Sequence, residues 1–178
     1  MGPTVFKTAA ARDIPEVVDD DGTRVRVICG DFWGKKGPVE GVAAEPRYLD
    51  VWVPPGKRKS LKVERGLHAF AYVFEGSGKF RDASAPSPIA TEQVGAPVTP
   101  EQARAAAGDE AEDRNLVVFD SGDEVTVQAG ERGIRFLLVS GRPIEEPVAW
   151  YGPIVMNTQE QLRQAFTELQ AGTFIKDR

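Results

Sequence analysis

A single histidine, His68, and a single cysteine, Cys29, are the residues of this 178-residue chain best suited to nucleophilic, acid–base or metal chemistry. One imidazole cannot build a histidine cluster, and the position two residues on, where a His-x-His pair would continue, is Phe70. A site at His68 would have to be completed by carboxylates, so the residue reads better as a strand-start histidine bonded to backbone or water. Cys29 closes the apolar run Val25, Val27, Ile28, where a small buried hydrophobe is the expected role. One cysteine permits neither an intramolecular disulfide nor a cysteine-based zinc site. As a nucleophile Cys29 would need His68 for its base, and sequence alone does not place the two together. The stretch 30–37, Gly-Asp-Phe-Trp-Gly-Lys-Lys-Gly, follows a strand as a phosphate loop would. It lacks the Walker spacing and leads into Gly37-Pro38 instead of a helix. Asp120, Asp123 and Glu124 surround Gly122, where aspartate is expected for backbone hydrogen bonding.

Composition narrows the function classes. A formal charge of −5 and a pI near 5.1 argue against sequence-independent binding to nucleic acid or to an anionic membrane. The basic clusters Lys35-Lys36 and Lys57-Arg58-Lys59 lie beside Gly or Pro and read as solvated loop charges. The N-terminus has no continuous apolar core, and no stretch approaches the length of a membrane helix. A reducing cytoplasm is the expected setting.

The elements that must position these residues are short strands separated by turns, at 24–29, 48–53, 60–64, 68–74 continuing through 79–80, 116–119, 124–129 and 134–140. Turns are expected at 75–78, 120–123 and 130–133. Strand 68–74 has no polar face: Ala69, Ala71 and Val73 oppose His68, Phe70, Tyr72 and Phe74, which predicts burial on both sides. The small-residue face could wall a ligand cavity or pack tightly against larger side chains. Residues 84–113 contain no aromatic residue and are rich in Ala, Pro, Glu and Asp, the composition of a flexible insertion, with a short helix over 100–107. One clear helix is expected over 158–171, capped by Asn157 or Thr158 with Gln161 completing a capping box. Its stripe Leu162, Ala165, Phe166 and Leu169 should pack on the barrel, and Phe174-Ile175 should dock beyond it.

The segment 136–158, Phe-Leu-Leu-Val-Ser-Gly-Arg-Pro-Ile-Glu-Glu-Pro-Val-Ala-Trp-Tyr-Gly-Pro-Ile-Val-Met-Asn-Thr, resembles the signature of the pirin family, and 170–174 continue the likeness. Residues 13–17, 25–30, 66–76 and 121–125 resemble the linker and strands of its second cupin domain. The resemblance implies an all-β fold, a cupin-type antiparallel β-barrel (jelly-roll) with a C-terminal α-helix. It assigns 1–22 to an arm similar to the interdomain linker and 23–178 to the domain.

Pirins are bicupins whose metal is held by three histidines and a glutamate in the N-terminal cupin. Quercetin 2,3-dioxygenase activity is attributed to that half. Nothing here matches those ligand motifs, so the resemblance implies no metal site, no catalytic residue and no cofactor of this chain's own, a divalent metal such as iron entering only with another cupin half. The expected role is a binding or interaction module, or the non-catalytic half of a pirin. The alternative is a quercetin 2,3-dioxygenase-like oxidoreductase. The expected partner is a second copy or a separate N-terminal-type cupin chain, with a small aromatic ligand in a cavity lined by Tyr48, Asp50, Trp52, His68, Ala69, Ala71 and Val73.

Overall fold

Alternation of apolar and polar residues turns most of this chain into strands with one buried face. The computed structural model describes residues 8–89 and 109–175. In order, the strands are β1 (Glu16–Val18), β2 (Arg24–Cys29), β3 (Asp31–Phe32), β4 (Lys35–Lys36), β5 (Arg47–Val53), β6 (Arg58–Lys62) and β7 (His68–Phe80). They continue as β8 (Ser87–Pro88), β9 (Ala111–Glu112), β10 (Asn115–Phe119), β11 (Glu124–Gly141), β12 (Ala149–Tyr151) and β13 (Ile154–Met156), before helix α1 (Gln159–Gln170). The chain divides into two compact units, Met1–Pro143 and Ile144–Arg178.

The first unit is the expected antiparallel jelly-roll. Its main sheet runs β1-β2-β5-β11-β7-β10-β8, with β6 also paired to β11 and β9 to β7; the hydrogen-bonded order does not close into a ring. Register aligns the inner residues in rows, Val25–Val51–Phe136–Val73 and Val27–Leu49–Leu138–Ala71–Val117. All nine are essentially inaccessible and belong to one core.

The segments 75–78 and 130–133 form no separating turns, because β7 and β11 run through them as long bent strands. Ala129 faces Gly78 and Ile134 faces Gly76, so residues 130–133 bulge opposite Ser77. A bulge of this kind bends a strand so that one segment can serve two layers.

The stretch 84–113 is not wholly irregular. Its ends form β8, paired to β10, and β9, paired to β7 with Ala111 fully buried. The helix expected over 100–107 lies outside the described residues. Lys59 is no solvated loop charge either. Strand parity puts it on the inner side with Leu61, and its ammonium bonds to Asp19 and, at 2.9 Å, to Asp21. Trp33 covers it, 5.0 Å from the ring centroid.

In the second unit, α1 buries Leu162 and Ala165 against Ala149 and Ile154 of the β12–β13 hairpin, with Met156 and Phe166 alongside. Within the second unit the helical stripe thus packs on this hairpin, and Ile175 is exposed instead of docked. The capping box is present: Thr158 Oγ1 accepts from the Gln161 N–H at 3.2 Å, and Gln161 Oε1 accepts from the Thr158 N–H. Thr158→Ala should cost the helix about 1 kcal/mol, measured as a lower urea midpoint in the far-UV helical signal.

Candidate functional site

The outer face of the main sheet carries the chemistry. Three rows cross it in register: Arg24–Trp52–Arg135–Glu75, then Glu16–Arg26–Asp50–Leu137–Tyr72–Leu116, then Tyr48–Val139–Phe70–Val118. Charge is concentrated toward β1, β2 and β5, and apolar surface toward β7 and β10. The charged end is concave, with a volume of about 250 Å³ lined in part by Trp52 and Asp50.

Electrostatics in this depression are mostly paired. Arg135 donates from Nε and Nη2 to the two oxygens of Asp50, at 2.9 and 2.7 Å, a bidentate fork that fixes both planes. The bond to Asp50 raises the Arg135 pKa above its ordinary value, burial opposes this, and Glu75 at 3.8 Å adds to it. Arg26 donates from Nε to Glu16 at 3.1 Å. Arg24 instead lies over the Trp52 ring, 4.3 Å from its centroid, with no ion pair among the described residues.

The residues expected to share a cavity divide by strand parity. Tyr48, Asp50 and Trp52 are half-buried on the outer face, and exposed His68 begins β7 on the same side as Phe70. Ala69, Ala71 and Val73 face inward and are consumed by the core against Phe136, Leu49 and Val117. The expected small-residue wall is therefore packed into the core, against larger side chains from β5, β10 and β11. Arg24, Arg26, Glu16 and Arg135 were missed. The signal was present in the alternation Arg24-Val25-Arg26-Val27, which places both cations outward on one strand.

A second concavity, of about 470 Å³, lies near Cys29. Its cations are each matched to a carboxylate, Lys36 to Glu40, Arg47 to Glu64 and Arg142 to Glu45. The 30–37 stretch is the tight β3–β4 hairpin, with buried Phe32 and no phosphate-loop geometry.

The other distinctive feature is exposed apolar surface. In the second unit the hairpin face opposite α1 presents Trp150, 72 % exposed, paired across the strands with Val155, and Val148 precedes them at 74 %. In the first unit Phe70 and Val118 sit opposite one another, both exposed. Contiguous apolar surface of this kind marks interaction sites more often than free surface.

The family model for the pirin C-terminal cupin domain matches residues 48–175. Pirin-1 of Arabidopsis thaliana is 33% identical, over 93% of this chain and 50% of its own length. A pirin-like protein of Caulobacter vibrioides is 35% identical, over 90% of this chain and 49% of its own length. Among solved structures, a quercetin 2,3-dioxygenase from Acinetobacter baumannii superposes with a TM-score of 0.76 at 25% identity, covering 98% of this chain and 52% of that one. The chain thus spans about half the length of these relatives.

Proposed function

This chain belongs to the pirin family through its C-terminal cupin domain, and from that premise we propose that it is an interaction module, the non-catalytic half of a pirin-type pair. The observation that carries this reading is the exposed apolar face of the β12–β13 hairpin. The occupant it fits is a metal-bearing cupin of the pirin N-terminal type. The relatives of this chain have about as much length again as the part it matches, room for one further domain of that size. A second copy of this chain is the competing occupant, and a cytoplasmic setting belongs to the same proposal. No helix among the described residues is long and apolar enough to cross a membrane.

The described side chains do not fit the iron or other divalent ion of the family. Among the described residues no three of His, Cys, Asp and Glu are grouped so as to hold an ion, and the inner rows of the main sheet, from Val25 to Val73 and from Val27 to Val117, are aliphatic or aromatic. His68 stands on the outer face, away from those rows. No reaction step is therefore assigned to this chain. The second reading, a quercetin 2,3-dioxygenase-like oxidoreductase, rests on the likeness to the Acinetobacter protein and requires the metal to come with a partner.

Association tests the proposal. Titrating the chain with the N-terminal cupin half of the Caulobacter relative should give a one-to-one complex in sedimentation velocity. Trp150→Ser should weaken it about thirtyfold, the effect of losing a central aromatic anchor. Sedimentation of the chain as an unchanged monomer in that mixture would refute the reading, as would an unaltered affinity in the variant. A dimer of the chain alone that Trp150→Ser dissolves would replace the cupin occupant with a second copy.

A further inference from the structure

The charged depression belongs to the first unit, and its Arg24, without an ion pair among the described residues, has no part in the docking reading. We propose that it is a binding site for a small aromatic carboxylate, held by Arg24 and Arg26 against Trp52.

Seven side chains meet here, three guanidinium groups and three carboxylates around one indole. Equal numbers suggest neutrality, but the pairing is uneven along the row. Both oxygens of Asp50 are taken up by Arg135, and Glu16 is held by Arg26. Glu75 lies at the β7 end, 3.8 Å from Arg135 and 65 % exposed. The β2 end is left with Arg24, which stacks on Trp52 and has no carboxylate partner among the described residues. A ring contact uses the face of a guanidinium and leaves its in-plane N–H donors available. Arg26 uses only Nε on Glu16, so its terminal nitrogens are also available.

Arg24 and Arg26 are two residues apart on one face of β2, about 7 Å by strand rise. That is within reach of the two oxygens of one carboxylate. A free guanidinium fork recognises that group bidentately. The rest of the depression selects the body of the ligand. The Trp52 indole, with Arg24 over its face, lines it, and its volume of about 250 Å³ is below the range of about 300–1,000 Å³ usual for drug-sized ligands, which limits the body to one ring beside the indole. Glu75 at the far end opposes a second negative group, so the site orients a monoanion with its charge toward β2.

The test follows the Trp52 indole N–H by NMR in the full chain at constant ionic strength, its signal assigned with Trp52→Phe. Benzoate should give a saturable shift, and benzamide, the neutral analogue, should give none. Arg24→Gln should raise the benzoate Kd about tenfold or more while leaving the amide spectrum of the core unchanged. An equal response to benzamide, a benzoate shift that never saturates, or an unchanged Kd in Arg24→Gln would each overturn the proposal.

Discussion

Gly76→Ala is expected to lower the stability of the first unit by about 3 kcal/mol or more, the largest single effect in this fold. Two costs add at this position. Gly76 has φ of +73°, a conformation that costs an L-residue about 1–2 kcal/mol. A Cβ built there would lie 2.1 Å from the Gly133 carbonyl oxygen and 2.9 Å from its carbon. Backbone on the facing strand cannot swing aside as a flexible side chain can, so the register of β7 against β11 would have to shift. These are the two longest strands, and they pair where each bends between layers. Gly56 supplies the control: its φ is +65°, but no atom lies within 4 Å of a built Cβ. Gly56→Ala should lose only the conformational cost. Urea midpoints for the two variants separate the effects, and equal losses would show that the approach to Gly133 is not what selects glycine.

Lys59→Met should cost about 2–4 kcal/mol at neutral pH, and the loss should shrink in acid. The lysine side chain is buried and its ammonium is held by Asp19 and Asp21, so its removal leaves two carboxylates near each other without their counter-charge. Those carboxylates retain some access to water, which keeps the cost below that of a wholly buried broken pair. Burial pushes the Asp21 carboxyl up, but the Thr23 N–H and the Lys59 ammonium outweigh it and bring the pKa down to about 2. The Lys59 hydrogen bond leads in lowering Asp19 as well. A depressed carboxylate stabilises the fold above its ordinary pKa of 3.8 and loses that contribution as pH falls through about 2. The difference between the parent and Lys59→Met should therefore be full above about pH 4 and narrow toward pH 2. Denaturant titrations across this range check it; a constant difference would mean that packing of the lysine stem, not its charge, carries the effect.

These two positions also show what was legible in the sequence. The strands, the helix with its cap and the family likeness follow from local patterns, which operate over a few residues. Val25, Val27, Leu49 and Val51 could be placed inward by alternation alone. The bends in β7 and β11 could not, because glycine pairs at 76–78 and 130–133 have the composition of turns. Only the non-local approach of Gly76 to Gly133 shows that they form a bulge inside continuous strands. Lys59 had the composition of a surface cluster, and the aspartates that explain its burial lie about forty residues earlier.

The candidate site was half legible. Asp50 and Trp52 were placed together by strand parity, but joining them to Ala69, Ala71 and Val73 required knowing which side of the sheet faces the core. That is a property of layer packing. Arg24 and Arg26 on β2 lie more than a hundred residues before Arg135 on β11, and register alone brings them to one depression. The exposed hairpin face was hidden for the opposite reason: Trp150, Val148 and Val155 have core composition, and only their accessibilities identify them as surface.

The division of labour proposed for this chain is tested most directly by quercetin turnover in oxygenated buffer. The measurement uses this chain alone with added iron, manganese, nickel or copper, then the chain titrated into a metal-loaded N-terminal cupin half. The account predicts no metal-dependent turnover by the chain alone and, in the mixture, a rate that follows the concentration of the partner half. Saturable, metal-dependent cleavage of quercetin by this chain alone would contradict it.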